Sequence, residues 1–398
     1  MNKRSLQLYE YGLVFLFFLT WGFIFLDRLA VSHLMPTLVQ DLNLTIAFAV
    51  FGPPIAALSD RTGYRKRFLI LAVLATGIFA ALSSIASSYT SLLLLRILVG
   101  ASEGPILALL MTMLAASSSQ GRFGRNAGIV NAGVTVIAIT LGPTLVTWLA
   151  SYTNWRLSFL LVSVPTFILT IIIWKYVQEV SHKITDADVE KKGKMWTGYI
   201  QALKYRNIKI CILVAICFSS GYWMLNGFGP LYLTEVSQLS VRSMGLTLSA
   251  LGLIAIVWTV IVPMLSDYIG RKSTLIFFSL LFVIGPLFMY LSPGWGISLA
   301  VLILLGGILG ALAPIFMNII PVESVPANLS ATSSALIIGT GEIIGALVLG
   351  LGGTLSDSYG LSIIMILMLS ASLLLAIVSI GLKETHPRVL KKNKEVTL

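Results

Sequence analysis

Apolar runs of about 20 residues recur along the whole chain, long enough to cross a hydrocarbon core of roughly 30 Å at about 1.5 Å of helical rise per residue. Twelve are predicted, at approximately 11–34, 46–58, 68–88, 91–114, 127–150, 157–176, 208–232, 244–264, 273–291, 295–318, 330–351 and 361–382. The one long hydrophilic stretch, from about Val177 to Asn207, is rich in Lys, Glu and Asp and divides six runs from six. The expected fold is an all-α membrane protein of twelve transmembrane helices in two pseudo-symmetric six-helix bundles. The first bundle is expected over 1–176, a cytoplasmic linker over 177–207, and the second bundle, with a short basic tail, over 208–398.

The second run departs from this pattern. From Pro36 to Asp60 is 24 residues, whereas the equivalent stretch of the second half, Pro230 to Asp267, is 37. The deficit corresponds to about 20 Å of helix, so 46–58 is too short to span. The outer half of the second helix is expected to be missing, as a segment left out of the sequence or as a real deletion.

Composition agrees with a membrane protein. Apolar residues make up 57% of the 398 and charged residues 11%, and the mean hydropathy is +0.93, beyond what a soluble domain of this size can solvate. The net charge of +11 would suit an acidic partner or nucleic acid, but its distribution points to topology instead. With both termini inside, 23 of the 27 basic residues fall on the cytoplasmic side, and only Arg28, Arg96, Arg156 and Arg242 do not. That is a strong positive-inside pattern. The basic, then apolar N-terminus lacks a small-residue cleavage site, so it is read as the first helix and not a removable signal. Cys211 and Cys217 are expected to be free thiols.

Four charged residues interrupt the apolar runs of the first half: Asp27 and Arg28 in the first, Arg96 and Glu103 in the fourth. A lone charge at the bilayer centre costs about 2.5 to 3.5 kcal/mol on insertion scales, so such residues face a watery cavity or one another. Arg96 and Glu103 are two helical turns apart and share a face; Asp27 and Arg28, being adjacent, point about 100° apart. A static ion pair is the competing reading. A planar guanidinium suits a carboxylate solute, because it accepts one bidentately and does not deprotonate. Arg28 is the expected principal anion contact and Arg96 the expected partner of the acids.

A signature recurs after the second run of each half: Leu58-Ser59-Asp60-Arg61-Thr62-Gly63-Tyr64-Arg65-Lys66-Arg67, and Leu265-Ser266-Asp267-Tyr268-Ile269-Gly270-Arg271-Lys272. The two aspartates lie 207 positions apart, half the chain, as an internal duplication requires. Together with Asn154-Trp155-Arg156-Leu157-Ser158-Phe159 before the sixth helix and the six-plus-six layout, this resembles the major facilitator superfamily over the whole chain. A narrower resemblance is to its anion:cation symporter family. It rests on Leu26-Asp27-Arg28-Leu29-Ala30-Val31-Ser32 through Pro36, on Arg96-Ile97-Leu98-Val99-Gly100-Ala101-Ser102-Glu103-Gly104, and on Asn131 with Leu141-Gly142-Pro143.

The resemblance implies proton-coupled uptake of a small organic anion (a carboxylate, sugar acid or aromatic acid) by alternating access. It implies that Asp27 and Glu103 take up protons while the arginines engage the solute or the deprotonated acids. Arrival of the solute at an arginine would then change the proton affinity of its neighbours. The signature loops, with Asp60, Arg61, Gly63, Arg65, Asp267, Gly270 and Arg271, read as gating latches at the cytoplasmic ends of the bundles. Glu342, in Gly339-Thr340-Gly341-Glu342-Ile343-Ile344-Gly345, is unexpected where the family more often shows a neutral amide. It is a candidate for a further proton site, for a contact to a cationic group of the solute, or for a structural acid. Asn131, Tyr222, Asn226 and Asn318 are weaker candidates for orienting a ligand, since polar side chains also join membrane helices.

The alternative is a proton-driven drug or metabolite efflux antiporter. Its marker in the fifth helix, a glycine-rich repeat around Gly-Pro, is only partly matched by Ala138 to Leu145. With no nucleotide-binding loop, metal-ligand cluster or nucleophile constellation in the sequence, an enzyme is not expected, nor is a cofactor or metal. The expected partners are a small organic anion, protons and the lipid bilayer, in a monomer of the bacterial cytoplasmic membrane.

Overall fold

The computed structural model describes residues 3–34, 64–119, 122–179, 195–294 and 296–386. The predicted second helix at 46–58 lies outside the described residues, as do Asp60, Arg61 and Gly63. The described residues contain helices and no strand. Among the described residues, ten helical stretches are long and apolar enough to cross a membrane: Leu6–His33, Arg65–Ile85, Thr90–Ser117, Arg125–Tyr152, Trp155–Tyr176, Arg206–Glu235, Val241–Ile269, Arg271–Leu291, Gly296–Ser324 and Thr332–Tyr359. These answer to the first, third to sixth and seventh to eleventh predicted runs, while the twelfth appears as the shorter apolar helix Ile363–Ser379. The chain divides into two compact units, Met1–Asp186 with Val241–Ser249, and Ala187–Ser240 with Ala250–Leu398.

In the first unit, α1 (Lys3–Leu34), α2 (Arg65–Leu82), α3 (Tyr89–Glu103), α4 (Ile106–Ser117), α5 (Phe123–Gly133), α6 (Gly142–Tyr152) and α7 (Trp155–Tyr176) pack around α1 and α2. Leu13, Phe17, Trp21, Ile24, Leu69, Val73, Leu109, Leu110, Met113, Val130 and Ile173 form one buried cluster. Gly104 and Pro105 break one membrane span into α3 and α4, because proline lacks the N–H that the helix needs and crowds the preceding turn. Glu103 is the last residue before that break. Ser88 starts α3 with a capping box to Ser91. Asn154 caps α7 by accepting from the Leu157 N–H at 2.8 Å, and Arg156 donates to the Ala86 carbonyl at 3.0 Å while lying 4.0 Å over Trp155. The Asn-Trp-Arg motif is thus a helix start tied to the end of α2.

A π-helical stretch, Val134–Leu141, joins α5 to α6, and a second, Ile315–Ile319, precedes Pro321. Each ends two residues before a proline, Pro143 or Pro321, whose missing donor and bulky ring favour an opened turn. Where α1 crosses this region the backbones nearly touch: a side chain on Gly133 would collide with the Phe18 carbonyl, and one on Gly22 with Ile137. Small residues of this kind allow the close van der Waals packing that holds membrane helices together.

The second unit contains α8 (Met195–Ala202), α9 (Arg206–Glu235), α10 (Val241–Ile269) from Ala250 onward, α11 (Arg271–Leu291), α12 (Gly296–Gly306), α13 (Ile308–Pro314), α14 (Ile320–Ser324), α15 (Ala327–Tyr359) and α16 (Ile363–Ser379). α9 runs through its middle against α15 and α16, and α11 packs on α16. The hydrophilic stretch read as a linker contains α8, which packs on α15. Its Gly198 approaches Thr332. Polarity marked the segment as outside the membrane but did not reveal this surface helix.

Gly133→Ala should destabilise the protein by about 1–3 kcal/mol through overpacking, whereas Gly128→Ala, with nothing within 4 Å of the added methyl, should be neutral or slightly stabilising. Thermal unfolding in detergent checks the pair; equal melting temperatures would refute the close α1–α5 approach.

Candidate functional site

The four charges of the first unit are all buried, with exposures of 2% for Asp27, 2% for Arg28, 4% for Arg96 and 0% for Glu103. Arg28 Nη1 lies 3.5 Å from Glu103 Oε1, and its guanidinium sits 5.2 Å over the Phe25 ring. Asp27, one residue earlier, points another way and accepts a hydrogen bond from the Thr166 hydroxyl of α7 at 2.8 Å. Arg96 and Glu103 both act electrostatically on it. Arg96 Nη2 donates to Ser83 Oγ at 2.6 Å and its guanidinium lies 5.7 Å from the Phe159 ring.

The sequence suggested that Arg96 would serve the acids and Arg28 the solute. In the structure Glu103 has Arg28 as its direct ion-pair partner, and Arg96 reaches Asp27 through its field while held by a serine. The 100° divergence of Asp27 and Arg28 is realised: one turns to α7, the other to Glu103 at the α3–α4 break.

The remaining candidates are scattered. Asn131 is exposed on α5 and donates to the Ala127 carbonyl at 2.9 Å; Asn226 donates to the Tyr222 carbonyl at 2.8 Å. Both amides therefore bond one turn back along their own helix. Asn318 is exposed on the second π stretch.

In the second unit Gly341 and Gly345 let α15 approach Ala215, Ser219 and Trp223 of α9, and Trp223 Nε1 donates to Glu342 Oε2 at 3.2 Å. Trp223 meets Tyr222 edge-on at 5.5 Å, Tyr222 stacks on Phe218 at 5.4 Å, and Phe218 meets Phe316 at 5.2 Å. Glu342 and Tyr222 are half-buried, so a carboxylate and a phenol border the partly open side of an aromatic cluster.

The basic end of each unit carries a related set of contacts. Gly270 turns the chain with φ +97°, a conformation glycine alone adopts without strain, and a side chain there would strike Glu384. Arg271 bridges Asp267 at 2.6 Å and Glu323 at 3.0 Å. Glu384 accepts from the backbone N–H of Arg271 at 2.9 Å and of Lys272 at 3.2 Å. In the first unit Glu179 accepts from the backbone N–H of Lys66 at 2.9 Å, and Arg65 is buried. The carboxylates thus sit at the positive ends of α2 and α11. The Gln178 N–H donates to the Tyr9 hydroxyl, and the Lys383 N–H to Asn207 Oδ1, each at 3.0 Å. Glu10, buried in α1, accepts from Asn126 at 2.7 Å and from Ser119.

Sequence reasoning missed Thr166, Ser83, Trp223, Glu323, Glu10, Glu179 and Glu384. Only the last two carried a usable signal: they stand 205 positions apart, just past the sixth and twelfth runs, close to the spacing that revealed Asp60 and Asp267.

The model of the major facilitator superfamily matches residues 13–349, and the chain belongs to that superfamily. It is an integral membrane transporter and not an enzyme. Among curated relatives, the chain is 27% identical to the "Hexuronate transporter" of Bacillus subtilis (strain 168) over 277 residues, which is 65% of this chain and 65% of that protein, just under two thirds of its length. It is 26% identical over 364 residues to the "Probable 4-methylmuconolactone transporter" of Cupriavidus pinatubonensis (strain JMP 134 / LMG 1197), covering 86% of this chain and 83% of that one. Among solved structures, a bacterial homolog of the human lysosomal transporter Spinster, inward-facing and unoccupied, superposes with a TM-score of 0.77 at 18% identity over 94% of this chain and 97% of that one. The nucleoside transporter NupG gives 0.78 at 12% identity over 95% and 100%. The structural likenesses establish the fold.

Arg28→Leu should cost roughly 3–5 kcal/mol because it removes an ion-pair partner of a buried acid, and the double replacement Arg28→Leu/Glu103→Leu should restore part of that. A double-mutant cycle on thermal stability measures the coupling; strictly additive effects would show that the two side chains do not interact.

Proposed function

We propose that this protein is a proton-coupled uptake carrier for a small organic anion, working by alternating access. The observation that carries the reading is the buried Arg28–Glu103 pair beside Asp27, with Arg96 within electrostatic reach, in a chain whose relatives are named for hexuronate and 4-methylmuconolactone. Sulfoacetate, in the name of a further relative at 23% identity, widens the class to a sulfonated acid. All three names describe compact, oxygen-rich organic anions, whose carboxylate or sulfonate groups a guanidinium grips well.

The mechanism follows from competition for the guanidinium groups. With no solute, Arg28 neutralises Glu103. A carboxylate that takes Arg28 weakens that compensation, and proton binding by Glu103 then becomes more favourable. Solute and proton therefore load together, and release of one favours release of the other. Asp27 provides a second acid in the same field. Asn131, Tyr222, Asn226 and Asn318 would orient the solute, with Glu342 a further proton site or contact.

Twelve helices in two six-helix bundles, 1–176 and 208–398 joined by 177–207, with a shortened second helix, form the proposed frame. The carrier would act as a monomer in the bacterial cytoplasmic membrane with both termini inside. Asp60, Arg61, Gly63 and Arg65 in one half, and Asp267, Gly270 and Arg271 in the other, are the proposed latches. The Asp267–Arg271–Glu323 contacts support this for the second half, since they join the end of α10 to the starts of α11 and α14.

Uptake into proteoliposomes of glucuronate, sulfoacetate and 4-methylmuconolactone, with and without an inward proton gradient, tests the function. At least one should accumulate only with the gradient. Movement of lipophilic cations outward with no movement of any acid would replace this reading by the efflux antiporter. Asp267→Asn should lower the maximal rate with little change in the half-saturating concentration; lost affinity at an unchanged rate would refute a latch.

A further inference from the structure

Thr166 is 1% exposed in the middle of α7, and its hydroxyl crosses to another helix instead of bonding one turn back. Buried threonines elsewhere in the chain, Thr20, Thr147, Thr170 and Thr274, donate to the carbonyl four residues before them, the usual way such a hydroxyl is satisfied in an apolar helix. Thr166 donates to Asp27 Oδ2 at 2.8 Å. Its rotamer has a visible cause on α2: Gly77 leaves room for the Thr166 methyl, and even a Cβ there would stand 3.2 Å from it. With the methyl seated on Gly77, the hydroxyl is turned to the acid.

We infer that Thr166 is a positioning residue of proton coupling, which holds the Asp27 carboxylate toward α7 and favours its deprotonated form. The inference rests on the reading of Asp27 as a proton-coupling acid. The charged groups that act on Asp27 are Arg96 and Glu103, both on α3, with Arg28 next to it on α1; the group that α7 presents is the neutral hydroxyl. Arg96 is itself held by Ser83 at the end of α2, so the acid and a guanidinium that acts on it are each held by a hydroxyl from a different helix.

A donor aimed at the carboxylate stabilises the anion selectively, because a protonated acid has less charge for it to meet. When Asp27 takes a proton, the proton resides on the carboxyl and Thr166 keeps its own. The hydroxyl is then free to rotate and accept from the acid, so both states are accommodated but the anion is favoured. Proton release from Asp27 would occur at a pH set partly by this contact.

The test needs no identified solute. Infrared difference spectra of the full chain in liposomes are recorded across pH, and the carboxyl band lost in Asp27→Asn is assigned to Asp27. In Thr166→Val, which keeps the shape and removes the donor, the midpoint of that band should move up by roughly one pH unit, a ten-fold gain in proton affinity. Thr166→Ser should titrate as the parent does, and Thr166→Cys, a weaker donor, should move in the same direction as valine. A valine or cysteine variant titrating with the parent would overturn the inference while leaving Asp27 as a proton site. No Asp27-dependent band across the accessible range would overturn the proton-coupling reading itself, and the inference with it.

Discussion

A charge in a membrane interior persists only with a partner, and the first unit is organised around that requirement. Glu103 is fully buried and Arg28 nearly so, and each offsets charge on the other at 3.5 Å. Two neighbouring hydroxyls are turned to this cluster. The serine at the end of α2 holds one guanidinium and the threonine of α7 one carboxylate. The break at Gly104 and Pro105 ends α3 at the acid. A pair that balances at rest also supplies a means of coupling, since whatever displaces one partner changes the energy of the other.

The second constraint is duplication. The basic ends of the units solve the same problem with related parts: a carboxylate just beyond the last helix of the unit accepts from N–H groups in the first turn of a helix with a basic start. Glu179 does this for Lys66, and Glu384 for Arg271 and Lys272. Such a cap satisfies donors that a helix start cannot satisfy internally and places negative charge at the positive end of the dipole. It also anchors the chain leaving each unit to the turn that carries the signature. A hydroxyl or amide on the unit's first membrane-spanning helix, Tyr9 or Asn207, receives the preceding N–H, which fastens a third helix to the same point.

These two constraints differ in how plainly the sequence displays them. Spans were legible because twenty apolar residues in succession have few other uses, and Asp27, Arg28, Arg96 and Glu103 were legible because charges stand out in such runs. Pairing was not, since helical periodicity fixes the face a residue occupies on its own helix and leaves the rotation of the neighbouring helix open; the contact of Arg28 with Glu103 could not be read from spacing. Thr166 and Ser83 were invisible for a related reason. Hydroxyl residues are common in membrane helices and usually bond to their own backbone, so only the observed direction of the O–H distinguishes Thr166 from Thr170 one turn later. Helix α8 escaped notice because a short amphipathic turn among Lys and Glu residues has too little apolar length to stand out.

Glu342 tests the consistency of the anion reading on electrostatic grounds. It is half-buried on α15, and the bond from Trp223 partly compensates a negative charge through a neutral donor. An indole N–H stabilises an anion but does not cancel it, so an ionised Glu342 would repel a negatively charged solute over distances at which a membrane interior screens poorly. For the second unit to share in binding an anion, the acid must carry a proton or face a positive group when the solute is near. Tyr222, adjacent in sequence to the residue that holds Glu342 and itself half-buried, offers a hydroxyl that serves either state, because it both donates and accepts. The aromatic cluster behind it, Phe218 and Phe316, supplies a rigid wall with no competing charge. Under the proposed anion-carrier function, the charge state of Glu342 would therefore bear on which solutes the second unit accepts.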